Sequence, residues 1–215
     1  MDNEAILGGQ ENEADALRDA VGATRTLIEG LRVADAPGDT LARVAALIDE
    51  ANELLVPHRV DGLRAQSSLR FEYGDRREFD VTDLAEFFPY SPVVGPANAL
   101  SPPVDLWLDG DRARGRVTLP AQYTGPPGAV HGGVIALIFD ELLGAACIWS
   151  GVGAFTGTLS IRYEQFTSIE SEIELEAWVD RTEGRKVFAV GEMRVAGVVT
   201  ARAEGIFIQA SLETN

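Results

Sequence analysis

The sequence predicts an α+β fold in which a curved antiparallel β-sheet wraps around one long helix, with a helical extension before it. Three observations indicate this. Residues 132–149 are apolar on nearly all sides, which is typical of a helix buried on most of its faces. A two-strand pattern precedes this stretch and four strand-like segments follow it. Apolar residues at helical spacing occupy much of the first 60 positions.

Residues 1–61 predict a helical hairpin extension. Apolar side chains recur every three to four residues from Leu17 to Leu31 and again from Leu41 to Leu55. Between them, residues 37–40 read Pro-Gly-Asp-Thr, a turn that contains helix-starting residues. Up to residue 60 the extension has 12 acidic residues and 5 arginines, a net charge of −7. We interpret it as a solvated packing arm, with a lid or an oligomer contact as the alternative.

Residues 62–103 predict an irregular connector rich in aromatic residues and proline, and residues 104–210 predict the main domain. In that domain a tight turn at Asp109-Gly110 joins two short strands. Turns at Thr182-Glu183-Gly184 and at Ala196-Gly197 separate three of the later strands. The predicted strands cover residues 104–108, 113–119, 158–166, 172–179, 186–195 and 199–208.

Composition excludes several classes of function. The net charge of −16 over 215 residues argues against nucleic acid and anionic membrane surfaces as partners. Two histidines and one cysteine are too few for the common structural zinc sites, and we expect neither a metal nor a redox cofactor. The single Cys147 lies in the apolar helix and is interpreted as a buried small residue. The acidic first residues do not resemble a targeting segment, so we expect a cytoplasmic protein.

Two carboxylates, Asp140 and Glu141, interrupt the apolar helix. Acidic side chains are almost never buried unless they are paired or functional. Small residues share the helix face of Asp140, namely Gly133, Ala136, Gly144 and Cys147. This strip predicts a groove in which a ligand or a second backbone approaches Asp140. Glu141 lies about 100° away around the helix, off the groove.

The helix begins with His131-Gly132-Gly133. Glycines at this position leave backbone N–H groups unshielded at the positive end of the helix dipole. A polarised acyl oxygen fits such N–H groups, while a carboxylate two turns away is available for acid–base work. The combination predicts acyl-transfer chemistry.

This pattern resembles the hot-dog-fold acyl-CoA thioesterases of the phenylacetic-acid and human thioesterase-superfamily type. The resemblance rests on His-Gly-Gly with an acid nine residues after the histidine, on the preceding Gly-Pro-Pro-Gly-Ala-Val, and on the later strand Thr156-x-x-Leu-x-Ile-x-Tyr163. It covers roughly residues 90–208 and implies the hot-dog fold for residues 104–210.

The resemblance also implies roles for single residues. Asp140 matches the general base or nucleophile, and the backbone N–H of Gly132 matches the donor to the thioester oxygen. His131 matches the motif histidine; we favour a role in orienting the loop over a His–Asp dyad. Thr156 matches the residue that hydrogen-bonds the acid or the water, with Thr158 as the alternative.

Related enzymes often have Asn or Gln six residues before the motif histidine, where this chain has Gly125. The family also places a basic turn against the phosphates of CoA, and Arg181, Arg185 and Lys186 match that turn. Because the chain is strongly acidic, a CoA site has to be locally basic. Gly133, on the small-residue strip, completes the expected substrate contacts.

The sequence therefore predicts an acyl-CoA thioesterase that works as a homodimer or homotetramer, because hot-dog sites form between two protomers. The alternative is a non-catalytic acyl-CoA-binding or regulatory module, which Gly125 favours and Asp140 opposes. Hydration or dehydration of acyl-CoA would require a histidine paired with an acid on another motif, and the only other histidine, His58, lies in the helical arm.

Overall fold

The structure is a computed structural model. It describes residues 3–61, 66, 81, 83–102 and 104–209, with side chains from residue 13 onward. The elements in chain order are the helices α1 (Asn3–Val33), α2 (Gly38–Leu55) and α3 (Leu84–Phe87), the strands β1 (Asp105–Asp109) and β2 (Arg112–Thr118), helix α4 (Gly132–Trp149), and the strands β3 (Ala154–Tyr163), β4 (Glu172–Glu183), β5 (Lys186–Val195) and β6 (Val198–Gln209).

The six strands form one antiparallel sheet in the order β1-β2-β4-β5-β6-β3. Helix α4 lies against one face and contacts five of the strands, β2 to β6. Its length and apolar character would suffice to cross a membrane, but eight of its 18 residues are buried inside the fold. The structure thus confirms the predicted α+β class, a sheet wrapped around a central helix.

Side chains alternate across the sheet as period-2 patterns require. On β2, Ala113, Gly115 and Val117 are buried towards α4, while the arginines between them point away. On β5, Val187, Ala189 and Met193 are buried on the same side. The largest fully buried side chains include Phe139, Phe207, Leu119, Ile138, Leu142 and Leu143. The core therefore lies between α4 and the inner face of the sheet.

The prediction of a strand over 158–166 was wrong at both ends, since β3 covers Ala154–Tyr163. A β-bulge between Thr156 and Thr158 interrupts the pairing with β6, which hides the alternating pattern at the start of the strand. At its end, the backbone N–H groups of Glu164 and Gln165 both donate to the carbonyl oxygen of Thr200. This turns the chain out of the ladder.

The N-terminal helices lie outside this core. Every residue of α2 is at least partly exposed, and in the described part of α1 only Val21 is buried. Helix α1 contacts the 3₁₀ turn Ala121–Tyr123, and Arg25 donates from Nη2 to the carbonyl oxygens of Gly95 (2.9 Å) and Asn98 (2.7 Å). The arm is thus attached to the connector and to the loop before α4.

The described part of the connector is a hydrogen-bonded loop with one helical turn, α3. The buried hydroxyl of Ser91 accepts hydrogen bonds from the N–H groups of Val93 and Val94. Asn98 donates to the carbonyl oxygen of Tyr90 and accepts from the N–H of Leu100. Most of residues 62–80 lies outside the described residues, so the domain boundaries at 61 and 103 stay predictions.

Gly95 should be intolerant of any side chain. A Cβ atom there would lie 2.5 Å from two backbone atoms of Ser91 and 2.7 Å from the carbonyl oxygen of Pro89. We expect Gly95→Ala to lower the free energy of unfolding by about 1–3 kcal/mol. The matched control is Gly30→Ala on α1, where a Cβ meets nothing within 4 Å; it should raise stability by about 0.5–1 kcal/mol. Urea unfolding of both variants tests the contrast, and equal stabilities would contradict it.

Candidate active site

The first turn of α4 has almost all of its backbone groups paired. The N–H of His131 donates to the carbonyl oxygen of Tyr123 (2.9 Å), and the carbonyl oxygen of His131 accepts from Val134 and Ile135. The N–H of Gly133 donates to Nδ1 of His131 (3.0 Å). Among the hydrogen bonds of the described residues, the N–H of Gly132 has no partner. It is a vacant donor at the positive end of the helix.

The imidazole of His131 acts as the N-cap of α4. Because Nδ1 accepts the hydrogen bond from Gly133, a neutral ring has its proton on Nε2. Nδ1 is therefore not available to pair with Asp140 as a base. A Cβ at Gly133 would lie 3.1 Å from Nδ1 and would press on the cap. This geometry agrees with the interpretation that His131 orients the loop.

Asp140 lies two turns further along α4 and is half-buried. Its Oδ1 accepts a hydrogen bond of 2.8 Å from the hydroxyl of Thr156 on β3. Thr156 pairs with Phe207 and Thr158 with Ile206 on β6, so the bulge at Gly157 separates the two threonines. Phe207 is buried against α4, and its partner Thr156 faces the same way. Of the two candidates, the structure therefore places Thr156 on the acid.

Glu141 is engaged elsewhere. Its Oε1 accepts a hydrogen bond of 2.9 Å from the hydroxyl of Ser91, in the connector. Burial raises the pKa of Glu141, the Ser91 hydrogen bond opposes this shift, and the negative charge of Asp140 adds to it. The carboxylate thus anchors the connector to α4, whereas Asp140 is bound by β3.

Steric crowding explains why a glycine occupies position 125. The loop folds back on itself through a bridge between Thr124 and Val130, and the N–H of Gly125 donates to the carbonyl oxygen of Ala129. A Cβ at position 125 would lie 2.7 Å from Cα of His131. Asn or Gln therefore cannot occupy this position without displacing the motif histidine. The departure from the family pattern follows from the shape of this loop.

The basic turn between β4 and β5 lies at the Thr156 end of the sheet. Lys186 pairs with Ile208, which in turn pairs with Phe155, so Lys186 and Phe155 are two strands, or about 10 Å, apart. The guanidinium group of Arg181 is bound by Asp180 and Glu183. The remaining two basic groups differ: Arg185 donates to the carbonyl oxygen of Gln209, whereas Lys186 has no ion pair within the described residues.

One residue of the site had no role in the sequence analysis. The hydroxyl of Tyr163 donates to the carbonyl oxygen of Gly132 (2.9 Å). The sequence signal was present, since Tyr163 ends the strand motif that supports the family resemblance. Its contact with the helix start depends on how β3 crosses α4, which the strand pattern does not disclose.

Cys147 is buried, and burial raises the pKa of its thiol to about 12, so it is an inert core residue.

A six-stranded antiparallel sheet wrapped around a central helix is the hot-dog fold, and comparisons with known proteins identify the family. The model of the thioesterase superfamily matches residues 127–201. A solved crystal structure described as a thioesterase superfamily protein is 34% identical, with 89% of this chain and 94% of that chain covered and a TM-score of 0.76. The chain therefore belongs to the thioesterase superfamily.

Two curated relatives show similarity over shorter ranges. Acyl-coenzyme A thioesterase THEM5 from Homo sapiens is 32% identical over 97 residues, which are 44% of this chain and 39% of that protein. Acyl-coenzyme A thioesterase THEM4 from Mus musculus is 41% identical over 64 residues, 30% of this chain and 27% of that protein. The matched region is thus about two-fifths or less of the length of these relatives.

The environment of Glu141 predicts a pH-dependent stability. Its pKa is raised above the ordinary value of 4.5, so the folded state binds this proton more tightly than the unfolded state. The contribution of Glu141 to stability is therefore present at low pH and is lost as pH rises above 4.5 through the raised folded pKa. Glu141→Gln keeps an oxygen for Ser91 and removes this titration. We expect the variant to gain stability relative to the wild type as pH rises, measured by urea unfolding between pH 4.5 and 8.

Asp39→Asn on exposed α2 serves as the control for the loss of one acidic side chain. A difference between Glu141→Gln and wild type that stays constant with pH would show that the Ser91 bond balances burial, and one that falls as pH rises would show that it outweighs burial; either result would contradict the prediction.

Proposed function

We propose that this protein is an acyl-CoA thioesterase that hydrolyses an acyl-CoA thioester to the free acid and CoA. The vacant N–H of Gly132 is the observation that carries the proposal, because the neighbouring backbone groups of this turn are already paired. Such a donor at a helix start suits the oxyanion of a tetrahedral intermediate. The names of the curated relatives point to the same activity.

In the proposed reaction, water attacks the thioester carbon while Asp140 takes its proton. The negative charge that develops on the acyl oxygen is stabilised by the N–H of Gly132. Collapse of the intermediate breaks the carbon–sulfur bond, and the proton on Asp140 passes to the sulfur of CoA. In an alternative route Asp140 attacks the carbon itself, and water then hydrolyses the resulting anhydride. In both routes the hydrogen bond from Thr156 holds Asp140 in place.

The site is proposed to form between two copies of the chain. Eight residues separate Gly132 from Asp140 on α4, a rise of about 12 Å. A reacting atom has to lie about 3–3.5 Å from the carbon that it attacks, and an oxyanion donor about 3 Å from the acyl oxygen. Because a rise of about 12 Å is longer than these two distances together, Gly132 and Asp140 of one copy are too far apart to act on the same thioester. This favours a site that combines Gly132 of one copy with Asp140 of the other.

Strand β3 offers the surface for such pairing. It is an edge of the sheet, none of its ten residues is buried, and Phe155 and Tyr163 are more than half exposed. An unpaired edge of this length is a template for another strand. Two copies of β3 can pair in antiparallel fashion. To bring Gly132 of one copy close to Asp140 of the other, Tyr163, which contacts Gly132, has to pair with Gly157 of the second copy, which is next to Thr156. Residue 160 is midway between 157 and 163, so this register places Ser160 on the two-fold axis, opposite Ser160 of the second copy.

CoA is proposed to bind along the basic turn. Lys186 and Arg185 are the groups available to its phosphates, whereas the charge of Arg181 is already balanced by two carboxylates. The chain is acidic overall, so attraction of a polyanion depends on this local excess of positive charge. The strip of small residues around Gly133 then leaves room for the acyl and pantetheine groups.

Asp140→Asn provides the test of the activity. Wild-type protein should release free CoA from at least one member of a panel of short, medium, long and aryl acyl-CoAs, followed with a thiol reagent. The variant keeps the size of the side chain but loses the basic oxygen, so kcat should fall at least about 10²-fold while acyl-CoA binding remains. Glu141→Gln is the matched control and should change kcat far less.

A wild-type protein that binds acyl-CoA without releasing thiol would favour the non-catalytic binding module. A larger loss in Glu141→Gln than in Asp140→Asn would show that the wrong carboxylate had been assigned.

Ser160→Cys tests the proposed register. Two cysteines directly opposite each other across antiparallel strands have Cβ atoms about 4.5–5.5 Å apart, close enough for a disulfide after a small adjustment. We expect the oxidised variant to run as a covalent dimer in non-reducing electrophoresis. Arg162→Cys, two residues along the same face, faces Thr158 of the other copy and should stay uncrosslinked. Equal crosslinking of both variants, or none with a monomer in light scattering, would contradict the register.

A further inference from the structure

Strand β3 is hydrogen-bonded to helix α4 at both of the proposed reacting positions. Near its start, Thr156 donates to the carboxylate of Asp140. At its last residue, Tyr163 donates to the carbonyl oxygen of Gly132. One edge strand thus fixes the acid and the start of the helix together.

The tyrosine ring lies directly over Gly132. A Cβ built at that glycine would meet the hydroxyl oxygen, Cζ and Cε1 of Tyr163 at 3.4, 3.5 and 3.6 Å. The residue is nevertheless 51% exposed, so part of the ring borders the space beside the vacant N–H. An acyl group whose oxygen binds Gly132 would therefore contact this ring.

The hydrogen bond from Tyr163 adds to the restraints on the first turn of α4. Gly132 and Gly133 follow each other, and glycine has the greatest backbone freedom of all residues. The peptide before Gly132 is held through His131, and the N–H of Gly133 is held by the imidazole. The hydroxyl of Tyr163 is the side-chain contact to the carbonyl group of Gly132 itself.

We propose that Tyr163 is a positioning residue, whose hydroxyl holds the Gly132 carbonyl and so restricts rotation about the backbone bonds of this glycine, which keeps the Gly132 N–H directed at the acyl oxygen. This rests on the proposed thioesterase function. The hydroxyl acts through the backbone and takes no proton in the reaction. Loss of one hydrogen bond to a neutral group changes an equilibrium about 2- to 12-fold, which sets the scale of the effect.

The test compares Tyr163→Phe with wild type. We expect kcat to fall about 3- to 10-fold, on the scale of one hydrogen bond, with KM changed less than this. The matched control is Thr24→Val on α1, which removes an exposed hydroxyl that donates to the carbonyl oxygen of Ala20 at 2.8 Å; its kcat should stay at the wild-type value.

Two unreactive analogues separate positioning from a general structural effect. In one, a CH₂ group replaces the sulfur, so that a ketone keeps the acyl oxygen; the other is an S-alkyl-CoA thioether that lacks this oxygen. Tyr163→Phe should weaken binding of the ketone by the same factor by which it raises KM, which is smaller than the factor in kcat, and should leave binding of the thioether unchanged.

Equal weakening of both analogues, an unchanged kcat, or a variant that loses its folded circular dichroism signal would overturn the positioning role. A wild-type protein that hydrolyses no acyl-CoA and shows no preference for the ketone would overturn the proposed function as well. The two failures are therefore distinguishable.

Discussion

The close approach of Gly125 to His131 is the constraint on which the rest of the site depends. The loop before α4 turns back on itself so tightly that a Cβ at position 125 would touch the backbone of the histidine. This contact sets where His131 begins the helix, and the imidazole then caps Gly133. Gly132 follows as the first residue of the helix, where a backbone N–H has no partner within the helix. Gly125 is therefore the residue that permits the loop to pack this closely against the motif histidine.

The two neighbouring acids of α4 divide their roles because their partners come from different parts of the chain. Asp140 faces β3 and is held by Thr156, on a strand that is an open edge. Glu141 faces the connector and is held by Ser91, in a loop that Arg25 of α1 also binds. One carboxylate thus lies where a second molecule can approach, and the other links the helical arm to the core. Helix geometry separates the two functions by about 100°.

Much of the fold was predictable from sequence because its signals are local. The apolar helix, the alternation on β2 and the turn at Ala196-Gly197 each follow from neighbouring residues, and the structure agrees with them. The predicted strand over 172–179 was too short: β4 continues past a register shift between Val179 and Arg181 to Glu183, so the turn is Gly184-Arg185 and not Thr182-Glu183-Gly184. The predicted bounds of β3 were wrong because a bulge interrupts the two-residue alternation of side chains, and a bulge depends on the partner strand. The steric role of Gly125 and the contact of Tyr163 with Gly132 also join residues that only the tertiary fold brings together. A sequence pattern gives the residue types at such positions but not the distances between them.

The charge distribution shows how a strongly acidic chain can still present a site for an anion. Several arginines on the outer face of the sheet pair with neighbouring carboxylates: Arg114 pairs with Glu176, and both Arg194 and Arg202 contact Glu192. Much of the excess negative charge lies in the arm, net −7 up to residue 60. Screening confines the influence of exposed charges to about 8–10 Å at physiological salt. A phosphate at the β4–β5 turn is therefore influenced by Lys186 and its immediate neighbours rather than by the net charge of the molecule. The acidic composition is thus compatible with a polyanionic substrate.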